Sequence, residues 1–165
     1  MARAPNSELL GSNDLAITLG SEPVESHVKL ARTPLKTFAA SYTQTAMSPA
    51  TPGEPDRMFL KLRNIRGNQD ACIFDVSVNV AGVAGQASPV GSLTLFGLAH
   101  ASQRSGTHGG SGLTRTIEIT EAIDQQLPEL AKADDLVVTI TPRGVLRPND
   151  RITVDQISLY RLSGS

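Results

Sequence analysis

The chain has 165 residues, enough for one domain with a hydrophobic core of its own. Fifteen basic and sixteen acidic side chains give a formal net charge of −1, and there is no run of Lys or Arg that could follow a phosphate backbone. This balance argues against a nucleic-acid partner. A membrane span is also not expected, because no apolar segment reaches the necessary ~18 residues.

The N-terminal residues carry little structural signal. Residues 1–14 are small and polar without periodicity, which predicts a flexible N-terminal arm before a domain that covers residues 15–163. The arm lacks the apolar h-region of a secretory signal, so a cytoplasmic location is the default expectation, unless a partner carries the chain through export.

Short runs of alternating apolar and polar residues follow and predict β-strands. In chain order the runs are LAITLG, PVESHVKL, LKTFAASYT, MFLKLRNI, CIFDVSVNV, GSLTLFGLA, LTRTIEIT, LVVTITP and RITVDQISLYRL. In CIFDVSVNV the lone Cys72 is expected to act as a small core side chain, in line with Phe74 and Val76. Because the chain has four Phe, two Tyr and no Trp, aliphatic residues must fill most of the core. The pattern predicts an all-β fold: an antiparallel, jelly-roll-like β-sandwich of about eight strands.

Two segments depart from simple alternation. TEAIDQQLPEL, residues 120–130, has helical spacing of its apolar residues and predicts one short helix, with Thr120 as a candidate N-cap and Pro128 as a point of bending. In the last run the apolar positions change from even to odd numbers. A bulge near Asp155 and Gln156, or burial on both faces, would account for this change.

Few side chains offer chemistry. The three histidines are His27, His100 and His108, and a closed metal site needs about four ligands. The Gly-rich stretch GTHGGSG, residues 106–112, lacks the GK[ST] of a phosphate-binding loop and comes before a predicted strand. No G-x-S-x-G motif is present. We therefore expect no catalytic residue, no metal site and no cofactor. Arg143, Arg147 and Arg151 are interpreted as solvated side chains.

The order and spacing of several segments resemble a known family. They are LAITLGSEPVESHVKL, MFLKLRNIRG, FDVSVNV, VGSLTLFG, HGGSGLTRTIEITEAID, LVVTITPRG and ITVDQISLY. Together they resemble the C-terminal β-sandwich domain of bacterial tyrosinase-family (type-3 copper) proteins and, more loosely, the C-terminal domain of plant polyphenol oxidases. In that family six histidines on a separate helical bundle hold the two coppers. The resemblance therefore implies a non-catalytic accessory domain that packs on, or shields, a type-3 copper catalytic domain and supports its assembly.

The resemblance also implies a candidate for the shielding residue. In the family one side chain often projects toward the coppers, and here Phe96, His100 and His108 are the candidates. The alternation of Phe96 with Thr94 and Leu98 favours a core position instead. Two other functions remain open: a self-associating structural subunit of an oligomeric assembly, and a ligand- or carbohydrate-binding sandwich. The second has few aromatic side chains from which to build a binding platform.

Overall fold

The computed structural model describes residues 7–31, 56–69, 72–82, 87–103, 112–147 and 149–162. Within these residues the chain forms nine strands and three short helices. The strands are β1 (Ser7–Ser12), β2 (Ile17–Leu19), β3 (Val24–Leu30), β4 (Arg57–Gly67), β5 (Ile73–Val80), β6 (Ser88–Thr94), β7 (Leu113–Glu118), β8 (Asp135–Pro142) and β9 (Ile152–Leu162). The helices are α1 (Leu98–Ser102), α2 (Thr120–Asp124) and α3 (Leu127–Leu130). None of these helices is long and apolar enough to cross a membrane.

All the strand pairs among the described residues are antiparallel, so the predicted all-β antiparallel class is confirmed. The strand order is β6-β5-β8-β3-β1-β9-β4-β7, with β2 also paired to β9. The sheet nearly closes on itself, since Arg115 of edge strand β7 donates from Nε to the carbonyl oxygen of Thr94 on edge strand β6, at 3.2 Å. One half of the sheet thus faces the other across a shared core.

The core is aliphatic, as the scarcity of aromatic residues predicts. On β5 every second side chain is buried, from Phe74 to Val80, and β8 alternates in the same way from Leu136 to Ile140. Cys72 lies beside them and is buried, as expected. Strands β4 and β9, in the other half of the sheet, supply a further set of buried side chains: Met58, Leu60, Leu62, Ile65, Ile152, Val154, Ile157 and Leu159. Phe74 is the one aromatic side chain among the buried residues that the structure describes.

β1 joins the two halves of the sheet, so part of the predicted flexible arm is a strand instead, while residues 1–6 of that arm lie outside the described residues. Residues 7–12 form a strand that pairs with β9 along most of its length and with β3 at Gly11 and Ser12. Gly11 lies so close to β3 that a Cβ atom there would overlap the backbone carbonyl oxygen of Lys29. The sequence of β1 misled the prediction because two adjacent leucines, exposed Leu9 and buried Leu10, are followed by a glycine, so the strand shows no clear alternation.

Asn13 continues the junction beyond β1. Its backbone amide donates to the carbonyl oxygen of Ile157 at 3.0 Å, and its side-chain Oδ1 accepts from the amide of Ile157 at 2.8 Å. Its Nδ2 donates to Ser26 Oγ on β3, at 3.3 Å, and to the carbonyl oxygen of Leu15, at 2.7 Å. This buried side chain therefore takes the place of ladder hydrogen bonds between the two halves, at a point where no strand is present to supply them.

In β9 the buried positions change from even-numbered to odd-numbered residues where this was predicted, and β4 has a matching change. Buried positions on β9 switch from Val154 to Ile157, and those on β4 switch from Leu62 to Ile65. The two irregularities lie opposite each other, so the β4–β9 register is the same on both sides of them. In β4 the extra residue is Asn64, which adopts a φ of 52° and donates from Nδ2 to Asp155 Oδ2 at 3.2 Å.

The helices differ from the single one predicted. The segment 120–130 contains α2 and α3, separated by a turn, and the hydroxyl of Thr120 accepts from the amide of Met58 at 2.9 Å instead of capping a helix. α1 was not predicted. It follows β6 and places Leu98 and Ala101 in the interior. The predicted strand LKTFAASYT lies outside the described residues.

The Gly11→Ala substitution tests the junction at β1. We expect it to lower the free energy of unfolding by about 1–3 kcal/mol, because the new methyl group must push two paired backbones apart. Gly20→Ala is the matched control, since an added Cβ there meets no described atom within 4 Å. It should be neutral, or stabilising by up to about 1 kcal/mol. Urea denaturation of both variants measures this difference, and equal stabilities would contradict the role given to Gly11.

Candidate functional site

Phe96 is exposed at one end of the sheet, where the sequence favoured a core position. β6 ends at Thr94, but its alternation continues: Leu93 and Leu95 are buried, whereas Thr94 and Phe96 are exposed. Gly97 then turns the chain with a φ of +76°, and Leu98 enters the core. Phe96 is left between two buried leucines with 64% of its surface exposed. The expectation of a core position for Phe96 is therefore wrong, and the ring projects from a short, well-anchored corner.

α1 holds this corner in place and carries the second candidate residue. Ser102 donates from its hydroxyl to the carbonyl oxygen of Leu98 at 2.7 Å and accepts from the amide of Gly67, at the end of β4, at 3.0 Å. His100 is exposed on the same helix, four residues after Phe96. His108, the third candidate, lies outside the described residues. The structure thus brings Phe96 and His100 to one corner.

A second exposed apolar tip lies at the same end of the sheet. Val145 is 98% exposed, in the turn that follows β8. Both tips are tied to the start of β5: the amide of Leu95 donates to the carbonyl oxygen of Cys72, and the amide of Arg143 donates to that of Ile73, each at 3.0 Å. Sequence analysis missed Val145, because a lone valine in a polar turn gives no periodic signal. We call Phe96, His100 and Val145 the apolar end.

An ion pair near the apolar end links the turn after β8 to β5 and β6. Arg143 donates from Nε to Asp75 Oδ2 at 3.3 Å, its Nη2 also meets Asp75, and it donates to Ser92 Oγ at 2.6 Å. Ser92 in turn donates to Asp75 Oδ1 at 3.1 Å. The hydrogen bond from Arg143 lowers the pKa of Asp75, and the same contact raises the pKa of Arg143. Arg143 is therefore paired, not simply solvated as predicted.

The histidines that the structure describes do not converge. His27 lies on β3, three strands from β6, with its Nδ1 3.5 Å from Asp135 Oδ2 and more than half of its side chain exposed. Within the described ranges there is no group of three or more His, Cys, Asp or Glu side chains that could hold a metal ion. The whole chain has three histidines, which is half the set that a six-histidine dicopper site requires. The residues present do not fit such a site.

An all-β domain with one exposed apolar end is the class of protein that these observations define. Residues 6–162 match the model of a domain family of unknown function, DUF7868, and the chain belongs to that family. No curated protein sequence matches the chain.

The fold is similar to part of two solved enzymes. One is latent apple tyrosinase, with a TM-score of 0.51 and 17% identity over 90% of this chain. The other is a latent aurone synthase (polyphenol oxidase), with a TM-score of 0.51 and 15% identity over 89% of this chain. The matched region spans only 27% and 26% of those proteins. The likeness shows a shared fold that makes up about a quarter of each enzyme.

Asp75→Asn tests the ion pair through the pH dependence of stability. Because the pKa of Asp75 is lowered in the folded state, its contribution is present above the unfolded value of about 3.8 and is lost as the pH falls through the folded value. Asp75→Asn should therefore lower the free energy of unfolding at about pH 7, and the difference from wild type should vanish at low pH. Added salt should shrink it.

Asp124→Asn is the control for this substitution, because Asp124 has no cationic partner among the residues described. Chemical denaturation across the acidic range measures both variants. A difference for Asp75→Asn that persists at the lowest pH would show that the carboxylate charge is not what stabilises the folded state.

Proposed function

We propose that this domain is a non-catalytic accessory domain that packs on a type-3 copper catalytic domain and shields the entrance to its active site. In this proposal the apolar end faces the partner, and Phe96 is the side chain that occupies the entrance. The coppers and the residues that bind them belong to the partner. The domain contributes shape, apolar surface and a rigid corner.

The fold likeness supports this proposal. Both similar enzymes are described as latent, and in each of them this fold accounts for about a quarter of the chain. A domain of this size that accompanies a larger catalytic unit is consistent with the accessory role that the sequence resemblance implies. The chain's own three histidines do not supply a six-histidine copper set, so a partner would have to supply it.

The exposure of Phe96 is the observation that carries the proposal. A phenyl ring that is 64% exposed gives up most of the free energy, about 1.5–3 kcal/mol, that full burial of such a side chain provides. The surrounding backbone is well fixed by Leu95, Leu98 and the hydrogen bonds of Ser102, so ordering the corner on binding costs little conformational entropy. A rigid, exposed aromatic side chain is typical of the anchor residue of an interface.

Co-expression with a type-3 copper catalytic domain that lacks its own β-domain tests this function. We expect the two chains to co-elute in size-exclusion chromatography, and the bound domain to lower the initial rate of phenol oxidation. Phe96→Ala should weaken the complex about tenfold, the change in Kd that corresponds to about 1.4 kcal/mol, and should restore the oxidation rate. His100→Ala should have a smaller effect if Phe96 is the residue that fills the entrance.

Leu15→Ala is the matched control, because Leu15 is 78% exposed but lies on the connection between β1 and β2. It should leave both the association and the oxidation rate unchanged. The accessory role is wrong if the chains neither associate nor alter the oxidation rate. A closed oligomer of this chain alone in the same size-exclusion chromatography, unaffected by the copper domain, would favour the structural-subunit alternative.

A further inference from the structure

A groove of about 310 Å³ lies on the outer face of the half-sheet formed by β1, β9, β4 and β7. The side chains that line it point away from the core, since Phe59, Lys61 and Arg63 alternate with the buried residues of β4. Tyr160 pairs with Phe59 in register, and Thr116 pairs with Lys61. This outer groove is separate from the apolar end and from every residue used in the proposed function.

Two cations converge on one aromatic ring in the outer groove. The Nζ of Lys61 and the Cζ of Arg63 each lie 5.9 Å from the centre of the Tyr160 ring. Arg63 also donates from Nη2 to the Tyr160 hydroxyl at 3.2 Å. These contacts hold both charges at the groove while both side chains stay half-buried. Such an arrangement orders the cations without neutralising them.

Neither cation meets a carboxylate within the described part of the chain, although its neighbours do. Arg57 pairs with Glu118 at 2.7 Å, and Arg161 pairs with Asp56 at 2.6 Å. The acidic side chains beside the groove are therefore already engaged, and they leave Lys61 and Arg63 with an unmatched positive potential. Half-buried cations of this kind favour an anion that can form charge-assisted hydrogen bonds with them.

Apart from Arg161, which is paired with Asp56, the remaining lining is apolar or weakly polar. Phe59 and Leu162 are half-buried and offer an apolar surface, and the exposed Thr116 offers a hydroxyl group. A volume near 310 Å³ lies at the lower end of the range for small-molecule sites, in which apolar walls surround a few polar groups. The mixture suits a ligand with a flat apolar body and a single anionic group, and it does not suit an inorganic ion alone.

We propose that the outer groove binds a small aromatic carboxylic acid. The carboxylate accepts hydrogen bonds from Lys61 and Arg63, and the ring lies against Phe59 and Tyr160. Thr116 can donate a further hydrogen bond to the carboxylate. This assignment is independent of the proposed function, because it concerns another face of the sheet and needs no copper domain.

Titration of the isolated chain with benzoate, followed by two-dimensional NMR of its backbone amides, tests the assignment. We expect a Kd near the millimolar range, as is usual for so small a ligand, with shifts concentrated at Lys61, Arg63, Thr116 and Tyr160. Benzyl alcohol supplies the ring without the charge, and inorganic phosphate supplies the charge without the ring. Each should bind at least about tenfold more weakly than benzoate.

Substitution of the cations completes the test. Lys61→Gln and Arg63→Gln should each raise the Kd for benzoate about tenfold. Tyr160→Phe should raise it less, because it only removes the hydrogen bond that holds Arg63 in place. Lys132→Gln is the matched control. Lys132 is exposed, follows α3 in the chain and does not line the groove. It should leave the Kd unchanged.

Several outcomes would overturn the proposal. Absence of shifts at about 10 mM benzoate, or shifts located elsewhere, would show that the groove does not bind this class of ligand. If benzyl alcohol binds as tightly as benzoate, the cations do not contribute to binding. If phosphate binds as tightly as benzoate, the aromatic rings do not contribute. If a substituted chain does not fold, the shift map of the wild-type protein still decides where benzoate binds.

Discussion

The passage of β1 from one half of the sheet to the other is the constraint on which the architecture depends. Two runs of four strands could each form a regular antiparallel sheet, but they share one core only because β1 belongs to both. Its pairing with β3 covers Gly11 and Ser12, and at Gly11 the backbones approach too closely for a Cβ atom. Asn13 then supplies hydrogen bonds to both halves from a single buried amide. Residues that a polar sequence assigned to an arm thus hold the core together.

The surface of the domain divides into regions of different chemistry. At the apolar end, exposed Phe96 and Val145 flank the first residues of β5, and backbone hydrogen bonds to Cys72 and Ile73 tie both loops to that strand. On the outer groove, by contrast, the aromatic side chains carry cations. The interior is nearly free of polar groups, and no buried side-chain nitrogen or oxygen in the described residues lacks a hydrogen bond. A satisfied, aliphatic core leaves the surface as the place where binding can evolve without cost to stability.

Sequence periodicity predicted the regular strands well, because their physics is local. On β5 and β8 each buried residue is followed by a half-buried one, and this alternation is visible in CIFDVSVNV and LVVTITP. At Phe96 the alternation holds, but it was assigned the wrong phase, since Leu93 and Leu95 are the buried positions. The same reasoning failed at β1 and α1. There the outcome depends on which strand lies alongside and where pairing ends, and neither is encoded by the spacing of apolar residues.

The candidate sites were less predictable than the fold for the same reason. Phe59, Lys61 and Arg63 were visible as the polar face of one strand, but Tyr160 lies about a hundred residues away and joins them only through the register of β4 with β9. Asp75 and Arg143 are likewise brought together by the pairing of β5 with β8. Phe96 and His100 were named as candidates because of the family resemblance, which carries no information on their exposure.

The matching irregularities in β4 and β9 have a consequence for how this fold can vary. Each strand carries one residue more than a flat ladder would need, and the two extra residues compensate so that pairing is continuous on both sides. Loss of Asn64 alone would restore simple alternation in β4, but it would bring Ile65 opposite Asp155 instead of Val154 and slip the rest of the β4–β9 pairing by one position. Removal of one residue from both strands would keep the pairing but straighten the sheet. A one-residue insertion or deletion in β4 at this place is therefore tolerated only together with a matching one in β9. Two segments that are distant in the chain are thus coupled in length.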